Sequence, residues 1–396
     1  MRIRHALIAG GGIGGLATAL ALHRQGWTVT VVERAVSLAP VGAGIGLAPN
    51  AVRALRELGV ADEVRACSAS HEGMGIRHPS GRWLVFVDEE KARRRFGEPF
   101  AVLHRADLVR ILADRLPPET LHLKTRVEGV ETGTGERPAR VSTSQGDFDA
   151  DLVVAADGLR SGLRSRLFPA HPGPVHAGFT AWRIVVPAPG CGLLASETWG
   201  NSGVVGVLPM AEGRVYCYAT GVMPPGKLFE DERAETLRRF GDWHAPIPDL
   251  FAAAAPETVL RNDVFHLARP LPSLHRGRVA FLGDAAHPMA PNLGQGACQA
   301  IEDAVVLAHV AGDGTDIPRR VYDYTAARLE RTTAMVRRSA KVGAMVHRDS
   351  PAAVRTRWTL AAVAGRLPFG ATARSLRPIT GWHPPRLGGE PGTPGR

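Results

Sequence analysis

Three features of the chain predict an α/β fold. A strand, a glycine turn, a helix and a second strand follow one another between His5 and Arg34. Two later apolar strands each run into an aspartate, and the middle of the chain breaks into period-two runs punctuated by Gly and Pro. Together they describe a Rossmann-like dinucleotide-binding domain, an interleaved and mainly antiparallel β-sheet substrate domain, and C-terminal helices. The expected division is 1–70, 101–167 and 276–347 for the nucleotide-binding part and 71–100 and 168–275 for the substrate part. Residues 348–396 remain as a basic helical segment and a tail of disordered composition.

The first stretch reads HALIAGGGIGGLATALALHRQGWTVTVVER. The apolar run Ala6 to Ala9 meets Gly10, Gly12 and Gly15 in G-x-G-x-x-G spacing. A helical pattern follows from Gly14 to Gln25, Gly26 stops it, and a β-branched run from Trp27 to Val32 ends at Glu33, 18 residues after the last glycine. Gly10 and Gly12 let the backbone approach a pyrophosphate, Gly15 lets helix and strand pack closely, and the helix N-terminus stabilises phosphate charge. Glu33 is placed to accept hydrogen bonds from a ribose. The nucleotide-contacting set here is Gly10, Gly12, Ile13, Gly14, Gly15, Glu33 and Arg34. The rival reading is a secretory leader, because Met1-Arg2-Ile3-Arg4 is basic. It fails because glycines crowd the apolar core and the pattern continues into a strand ending in an acid.

The totals narrow the class. The chain has 396 residues, 44% hydrophobic and 22% charged, enough for about two domains with a sizeable core. No uninterrupted apolar run is long enough to predict a membrane span. Cys67, Cys191, Cys217 and Cys298 lie far apart and read as reduced thiols of a cytoplasmic protein. The 15 histidines form no H-x-x-x-H pattern, so no metal is predicted. The net charge of +10 is local: residues 319–396 hold 15 Lys+Arg against 4 Asp+Glu, leaving −1 for the rest. This excess reads as a solvated helix face, or as a contact with an anionic membrane surface or an acidic partner protein. No nucleic acid partner is predicted.

Further along, Val41 to Gly59 is a glycine-rich loop and then a short helix with Val52, Leu55 and Leu58 inward. Glycines at 42, 44 and 46 suit either backbone lying against something flat or a flexible connector. Residues 71–88 predict a hairpin, Lys91 to Arg95 a basic loop, and Leu103 to Leu116 a helix burying Leu108, Ile111, Leu112 and Leu116. Arg105 is either a surface charge or a group aimed at the cofactor. Residues 121–150 predict two or three short strands. Leu152 to Ala155 is a buried strand followed by Asp157, Gly158, Ser161 and Arg164, the position where open α/β sheets hold ligands. From about 168 to 275 the alternating runs Phe179–Val186, Gly203–Leu208 and Val215–Thr220 predict an antiparallel sheet whose sparsely charged face could wall a pocket. Arg183, Tyr216 and Tyr218 stand out on it.

A last strand, Arg278 to Leu282, runs into Asp284. Pro288 and Pro291 keep the next segment from being helical, and Gly294-Gln295-Gly296 opens a helix to about Val310, its bare amides facing the same place as Asp284. Residues 318–348 predict a long helix with Tyr322, Leu329, Val336, Val342 and Val346 on one stripe. A second apolar segment spans Trp358 to Phe369, and Pro384 to Arg396 has a disordered composition.

Three motifs agree: G-x-G-x-x-G with Glu33, D-G-x-x-S-x-x-R at Asp157 to Arg164, and G-D-A-A-H-x-x-x-P-x-x-G-Q-G at Gly283 to Gly296. In this order they resemble the FAD-dependent aromatic hydroxylases, the p-hydroxybenzoate hydroxylase-like class A flavoprotein monooxygenases, over about residues 3 to 347. PNLGQGACQAIEDA together with AWR is most similar to the salicylate hydroxylase, urate hydroxylase and zeaxanthin epoxidase-like branch, with Cys298 where many relatives carry asparagine. The resemblance implies that Glu33 holds the adenosine ribose, Arg105 contacts FAD and Asp284 binds the ribityl hydroxyls. It also implies that Asp157 and Arg164 serve both FAD and NAD(P)H, and that Pro291, Gly294, Gln295 and Gly296 lie beside the isoalloxazine. Gly46 joins this cofactor set.

The implied reaction is hydroxylation of an aromatic or other electron-rich small molecule by NADH or NADPH and O2 through a flavin hydroperoxide. Without a second G-x-G-x-x-G after a strand, the nicotinamide binds transiently. Epoxidation, Baeyer–Villiger oxidation or isoprenoid reduction on the same fold, and a non-catalytic flavin-binding regulatory protein, are the alternatives. Arg183 and Tyr216 are the catalytic candidates, each also readable as an ordinary sheet residue, while His287 reads as structural. A monomer or homodimer is expected.

Overall fold

The computed structural model describes residues 4–38, 43–69, 72–190, 192–201 and 203–388. Gly42, Cys191, the first three residues and positions 389–396 of the tail lie outside the described residues.

Strand β1 (His5–Ala9) is buried from Ala6 onward and ends at Gly10, whose φ of +118° and contact with the Ala156 carbonyl both exclude a side chain. Helix α1 (Ile13–Arg24) starts at once, because Gly15 lets it rest on the Gly10 carbonyl. Strand β2 (Thr28–Val32) returns parallel to β1. Next come β3 (Gly44–Leu47), α2 (Pro49–Glu57) and α3 (Ala61–Ala66), with Val52, Leu55 and Leu58 buried as the periodicity requires. β4 (Gly73–Arg77) and β5 (Trp83–Asp88) form the expected hairpin.

Lys91 to Arg95 is not a loop but part of helix α4 (Glu89–Phe96). Asp88 accepts the Lys91 amide at 3.0 Å, Glu90 pairs with Arg93 and Arg94 a turn on, and Ala92 and Phe96 turn inward. The expected helix from Leu103 also shifts. Ala101–His104 is strand β6, antiparallel to β3 with His104 opposite Gly44, and α5 (Arg105–Ala113) begins only after it. That pairing is long-range, so local periodicity cannot reveal it.

β7 (Leu121–His122) joins β2, and β8 (Val127–Glu131), β9 (Ala139–Thr143) and β10 (Gly146–Ala150) make a small antiparallel sheet. β11 (Leu152–Ala155), fully buried, lies parallel beside β1, and Ser161 caps α6 (Gly162–Leu167). The long β12 (Val175–Pro187), β13 (Ala195–Trp199), β14 (Val204–Met210) and β15 (Arg214–Val222) follow. Helices α7 (Glu232–Phe240) and α8 (Ile247–Ala252) interrupt the stretch expected to be sheet; they cover one sheet face, where Phe240 and Phe251 pack with Trp182, Ile184 and Val205. β16 (Leu260–His266), β17 (His275–Arg276) and β18 (Val279–Phe281) complete the strands.

Two sheets result. One runs β17-β18-β11-β1-β2-β7 and is parallel except at β17; the other runs β16-β12-β15-β14-β13-β4-β5 and is antiparallel except between β13 and β4. The residue 73–88 hairpin therefore extends the sheet built by residues 175–266.

After the short α9 (Gly283–Ala286), helix α10 (Gly296–Ala311) lies against α1, α2 and α11 (Ile317–Val346). The inward stripe of α11 departs from expectation: Tyr322 is 55% exposed, and the buried face runs through Val321, Tyr324, Arg328, Met335, Val336 and Val346. α12 (Pro351–Arg366) and α13 (Phe369–Thr380) close the chain. Positions 384–388 of the tail are packed rather than loose: the Leu387 amide donates to Glu57 at 3.2 Å, and His309 Nδ1 lies 3.0 Å from the Arg386 carbonyl. No helix among the described residues is long and apolar enough to cross a membrane.

Candidate active site

The carboxyl ends of β1, β2, β11 and β18 bring together four stretches remote in sequence: the Gly10 turn, Glu33, the Asp157 loop and Asp284. At Gly12 an added Cβ would meet no protein atom within 4 Å, and α1 has no side-chain cap, so its first amides face open space. Gly14 differs, lying against Leu282 and Ala300, and the Ile13 side chain is buried. The Glu33 carboxylate accepts the Gly11 amide at 2.7 Å and the Ala35 amide at 2.9 Å, which fixes it at the rim beside the exposed Arg34.

Asp157 accepts the Leu163 amide at 3.1 Å through one oxygen, while the other is buried with no partner among the described residues. Arg164 is buried between the two aspartate loops. Its guanidinium donates to the carbonyls of Asp284 (3.2 Å), Ala285 (3.0 Å) and Leu159 (2.6 Å), stapling the two aspartate loops together. Asp284 sits on the cleft floor, enclosed by protein yet open to the cleft. Desolvation there lifts its carboxyl above the usual range, against the opposing charges of His287, Arg105 and Arg164. Arg105, at the exposed start of α5, thus acts on Asp284 across the cleft.

The other end of the cleft is built by Pro291 to Gly296. Pro291–Leu293 is a single tight turn, Gly294 takes φ +60°, and α10 then begins without a side-chain cap. Gly294, Gly296 and Gly46 all look onto open space. The Gln295 side chain is buried, accepting from Asn50 and from Gln299, each at 3.0 Å, and so locks the turn onto α2.

Behind that turn lies a buried polar network that sequence reading missed. Arg328 Nε donates to Asp303 at 2.7 Å and Nη1 to Glu302 at 2.5 Å; Arg331 adds a 2.7 Å bond to Glu302. Asp303 in turn accepts the Gly283 amide at 3.0 Å and faces His287 at 2.6 Å, so the network holds the backbone that presents Asp284. The signal was the Glu302-Asp303 pair inside an otherwise apolar helix.

The opposing wall is the seven-stranded sheet. Arg183, Tyr218, Gly206 and Glu197 stand opposite one another across β12, β15, β14 and β13. The Tyr218 ring lies over Gly206, where a Cβ would come within 2.1 Å, and its hydroxyl donates to Glu197. The second Glu197 oxygen accepts from Trp199 Nε1 at 2.9 Å. Burial, with Glu197 beside it, pushes the Tyr218 hydroxyl well above its ordinary pKa.

Two residues along on the same strand face, Tyr216 packs against Val102 and Met210. Its ring is what β3 passes closely, since a Cβ on Gly44 would lie 2.2 Å from it. Arg183 donates to Asn262 at 2.8 Å and faces the Tyr216 hydroxyl; burial raises that hydroxyl and the Arg183 charge pulls it back. Glu197 was missed because its row is visible only once the strands are paired.

Open glycines between two uncapped helix starts, carboxylates at Glu33 and Asp284, and an unpaired buried Asp157 oxygen fit an extended dinucleotide running from α1 to α10, the site of a flavoprotein. Residues 4–339 match the family model described as FAD binding domain, and the chain belongs to this family, among the FAD-dependent aromatic hydroxylases. It is 40% identical over 345 residues to aurachin C monooxygenase/isomerase of Stigmatella aurantiaca, covering 85% of this chain and 88% of that one. To the FAD-dependent urate hydroxylase of Klebsiella pneumoniae it is 33% identical over 344 residues, with the same coverage of 85% and 88%. The crystal structure of Klebsiella pneumoniae HpxO complexed with FAD and uric acid superposes with a TM-score of 0.88 at 28% identity, covering 95% of this chain and 96% of that one. The protein is therefore an FAD-binding oxidoreductase of the monooxygenase type.

Proposed function

We propose that the protein uses NADH or NADPH and O2 to insert one oxygen atom into an aromatic or other electron-rich small molecule. The substrate lies between the flavin and the sheet wall bearing Arg183, Tyr216, Tyr218 and Glu197. The observation that carries this reading is that wall itself: a carboxylate, a cation and two tyrosines on one sheet face, beside a cleft shaped for a dinucleotide. Bound FAD supplies the redox chemistry and the activation of oxygen.

In this reading the protein binds and orients. The first amides of α1 and the open face of Gly12 hold the pyrophosphate, Glu33 the adenosine ribose and Asp284 the ribityl chain. The uncapped start of α10, with Gly294 and Gly296, stabilises negative charge at the ring. Tyr216, Met210 and Val102 keep water from the reacting face. Glu197 accepts a proton or hydrogen bond from a substrate O–H or N–H, and Arg183 stabilises the anion that results. The FAD-binding unit comprises 1–70, 101–167 and 276–347, and 71–100 with 168–275 holds the substrate. A cytoplasmic setting fits the free thiols of Cys67, Cys217 and Cys298.

Relatives named for urate, aurachin C and 2-heptyl-3-hydroxy-4(1H)-quinolone direct the first screen to nitrogen heteroaromatics, with aromatic acids as the contrast. NAD(P)H consumption should accelerate with the right substrate, and labelled O2 should leave one labelled oxygen in the product. A purified protein that stays colourless and takes up no FAD would sink the reading.

A further inference from the structure

Helix α12 presents apolar side chains on both of its faces. Its inner face is firmly fixed. Val354 and Ala361 are buried, and Arg357 donates to the carbonyls of Met345 (3.1 Å), Val346 (3.0 Å), Arg348 (3.1 Å) and Gly200 (2.6 Å). Trp358 Nε1 donates to the Trp199 carbonyl at 2.6 Å, and Gly365 lies so near β5 that a Cβ would come within 2.1 Å of the Leu84 carbonyl. The helix is thus held in one orientation by several independent contacts.

On the opposite side, Leu360, Val363 and Leu367 follow one another at helical spacing and are 62%, 50% and 51% exposed. A helix serving only the fold would carry polar groups there. The charge carried by the segment itself has one sign. Between residues 350 and 389 the sequence contains no Asp or Glu, and Arg355 and Arg366 flank the stripe with exposed guanidinium groups. Lys341 in α11 and Arg348 just beyond it are exposed as well, with Asp349 the one exposed acid beside them.

We propose that the outer face of α12 rests on an anionic lipid bilayer, with Leu360, Val363 and Leu367 in the headgroup–acyl boundary and Arg355 and Arg366 on the lipid phosphates. A second copy of the chain fits poorly. A two-fold contact would set this face against itself, cation against cation, with no carboxylate in the segment to relieve it. An acidic protein would pair with the arginines but would still have to supply an apolar groove for a single convex helix. A bilayer provides both chemistries on one deformable surface. Trp199, which holds Trp358, belongs to the same strand as Glu197, so docking through α12 brings the substrate wall to the membrane and favours a substrate that partitions into it.

The test is co-sedimentation of the full FAD-loaded chain with vesicles of phosphatidylglycerol and phosphatidylcholine against vesicles of phosphatidylcholine alone. Binding is expected to the anionic vesicles, roughly tenfold stronger than to the neutral ones, and to weaken at about 0.5 M salt. The triple variant Leu360→Ser, Val363→Ser, Leu367→Ser should lose vesicle binding while keeping its flavin content and melting temperature. Arg355→Glu with Arg366→Glu, which leaves the apolar stripe untouched, should lose the preference for anionic lipid and covers the case in which the triple variant does not fold. Wild-type protein that ignores both vesicles, or variants that bind as wild type does, would overturn the proposal. So would a concentration-dependent dimer that the triple variant abolishes, or capture by an acidic peptide in place of vesicles.

Discussion

Nε2 of His287 stands 2.6 Å from Oδ2 of Asp303, with both side chains buried behind the cleft floor. Burial alone would raise the Asp303 carboxyl, but the charges of His287 and Arg328 and the bonds from His287 and the Gly283 amide outweigh it and hold the group at about 2. The sign of the pH dependence follows. A carboxyl whose folded pKa lies below its unfolded value of 3.8 contributes stability that is complete above the unfolded value and is lost as pH falls through the folded one. Unfolding free energy should therefore drop between about pH 4 and pH 2. Asp303→Asn should flatten that drop and, by leaving Arg328 with one carboxylate fewer, cost about 3–5 kcal/mol at neutral pH. Urea melts across this pH range measure both effects.

Gly10 and Gly12 should separate folding from cofactor binding. Alanine at Gly10 meets the Ala156 carbonyl at 2.3 Å and a φ of +118°, so Gly10→Ala should lower the melting temperature of the apoprotein. Alanine at Gly12 meets nothing in the protein. Gly12→Ala should leave the apoprotein melt unchanged and weaken FAD binding by about tenfold, or ~1.4 kcal/mol, read by titration of flavin fluorescence.

The contrast between those glycines shows what a sequence can carry. The spacing of Gly10, Gly12 and Gly15 with Glu33 records a local chain path, and the strand–turn–helix–strand it predicts is what forms. The buried strand Leu152 to Ala155 and the helix opening at Gly296 are local in the same sense. What stayed hidden depends on distant partners. Leu103 reads as helix until β3 offers its edge to β6, and Arg328 reads as surface until Glu302 and Asp303 meet it from α10. Tyr322 and Tyr324 differ by two positions on an arginine-rich helix, and only the packing of Tyr324, whose hydroxyl donates to the Phe281 carbonyl at 3.0 Å, decides which one is buried.

Gly44 and Gly206 each make room for a tyrosine ring, which a Cβ at either position would approach to 2.2 and 2.1 Å respectively. Neither has positive φ, so alanine there is resisted by the ring alone. Gly206→Ala should lift Tyr218 off β14, break its bond to Glu197 and cost about 1–3 kcal/mol of stability. Gly44→Ala should displace Tyr216 instead, at a similar cost. Thermal melts give the stability changes, and tyrosine absorbance titration reports the displaced phenol: once released into water, it should ionise closer to pH ~10 than it does in the native protein.

Arg183, Tyr218 and Glu197 give the last prediction. Tyr218 is held well above its ordinary pKa, so it remains a neutral hydroxyl donor through the working pH range and Glu197 stays its acceptor. Any basic limb in the rate profile must then come from another group, and Tyr218→Phe should leave that limb in place. Glu197→Gln keeps the size of the side chain and its bond from Trp199 but removes the charge that would take up a substrate proton. With a substrate bearing an acidic O–H or N–H, kcat/KM should therefore fall by about 100-fold, or ~2.7 kcal/mol, while FAD content is unchanged. Arg183→Met should act on the opposite end of the same row, lowering kcat/KM for substrates that react as anions by about tenfold and sparing those that do not ionise. Substrate-stimulated NAD(P)H oxidation measured from about pH 5 to about pH 10 reads all three variants. An unaltered kcat/KM in Glu197→Gln would remove that carboxylate from the reaction.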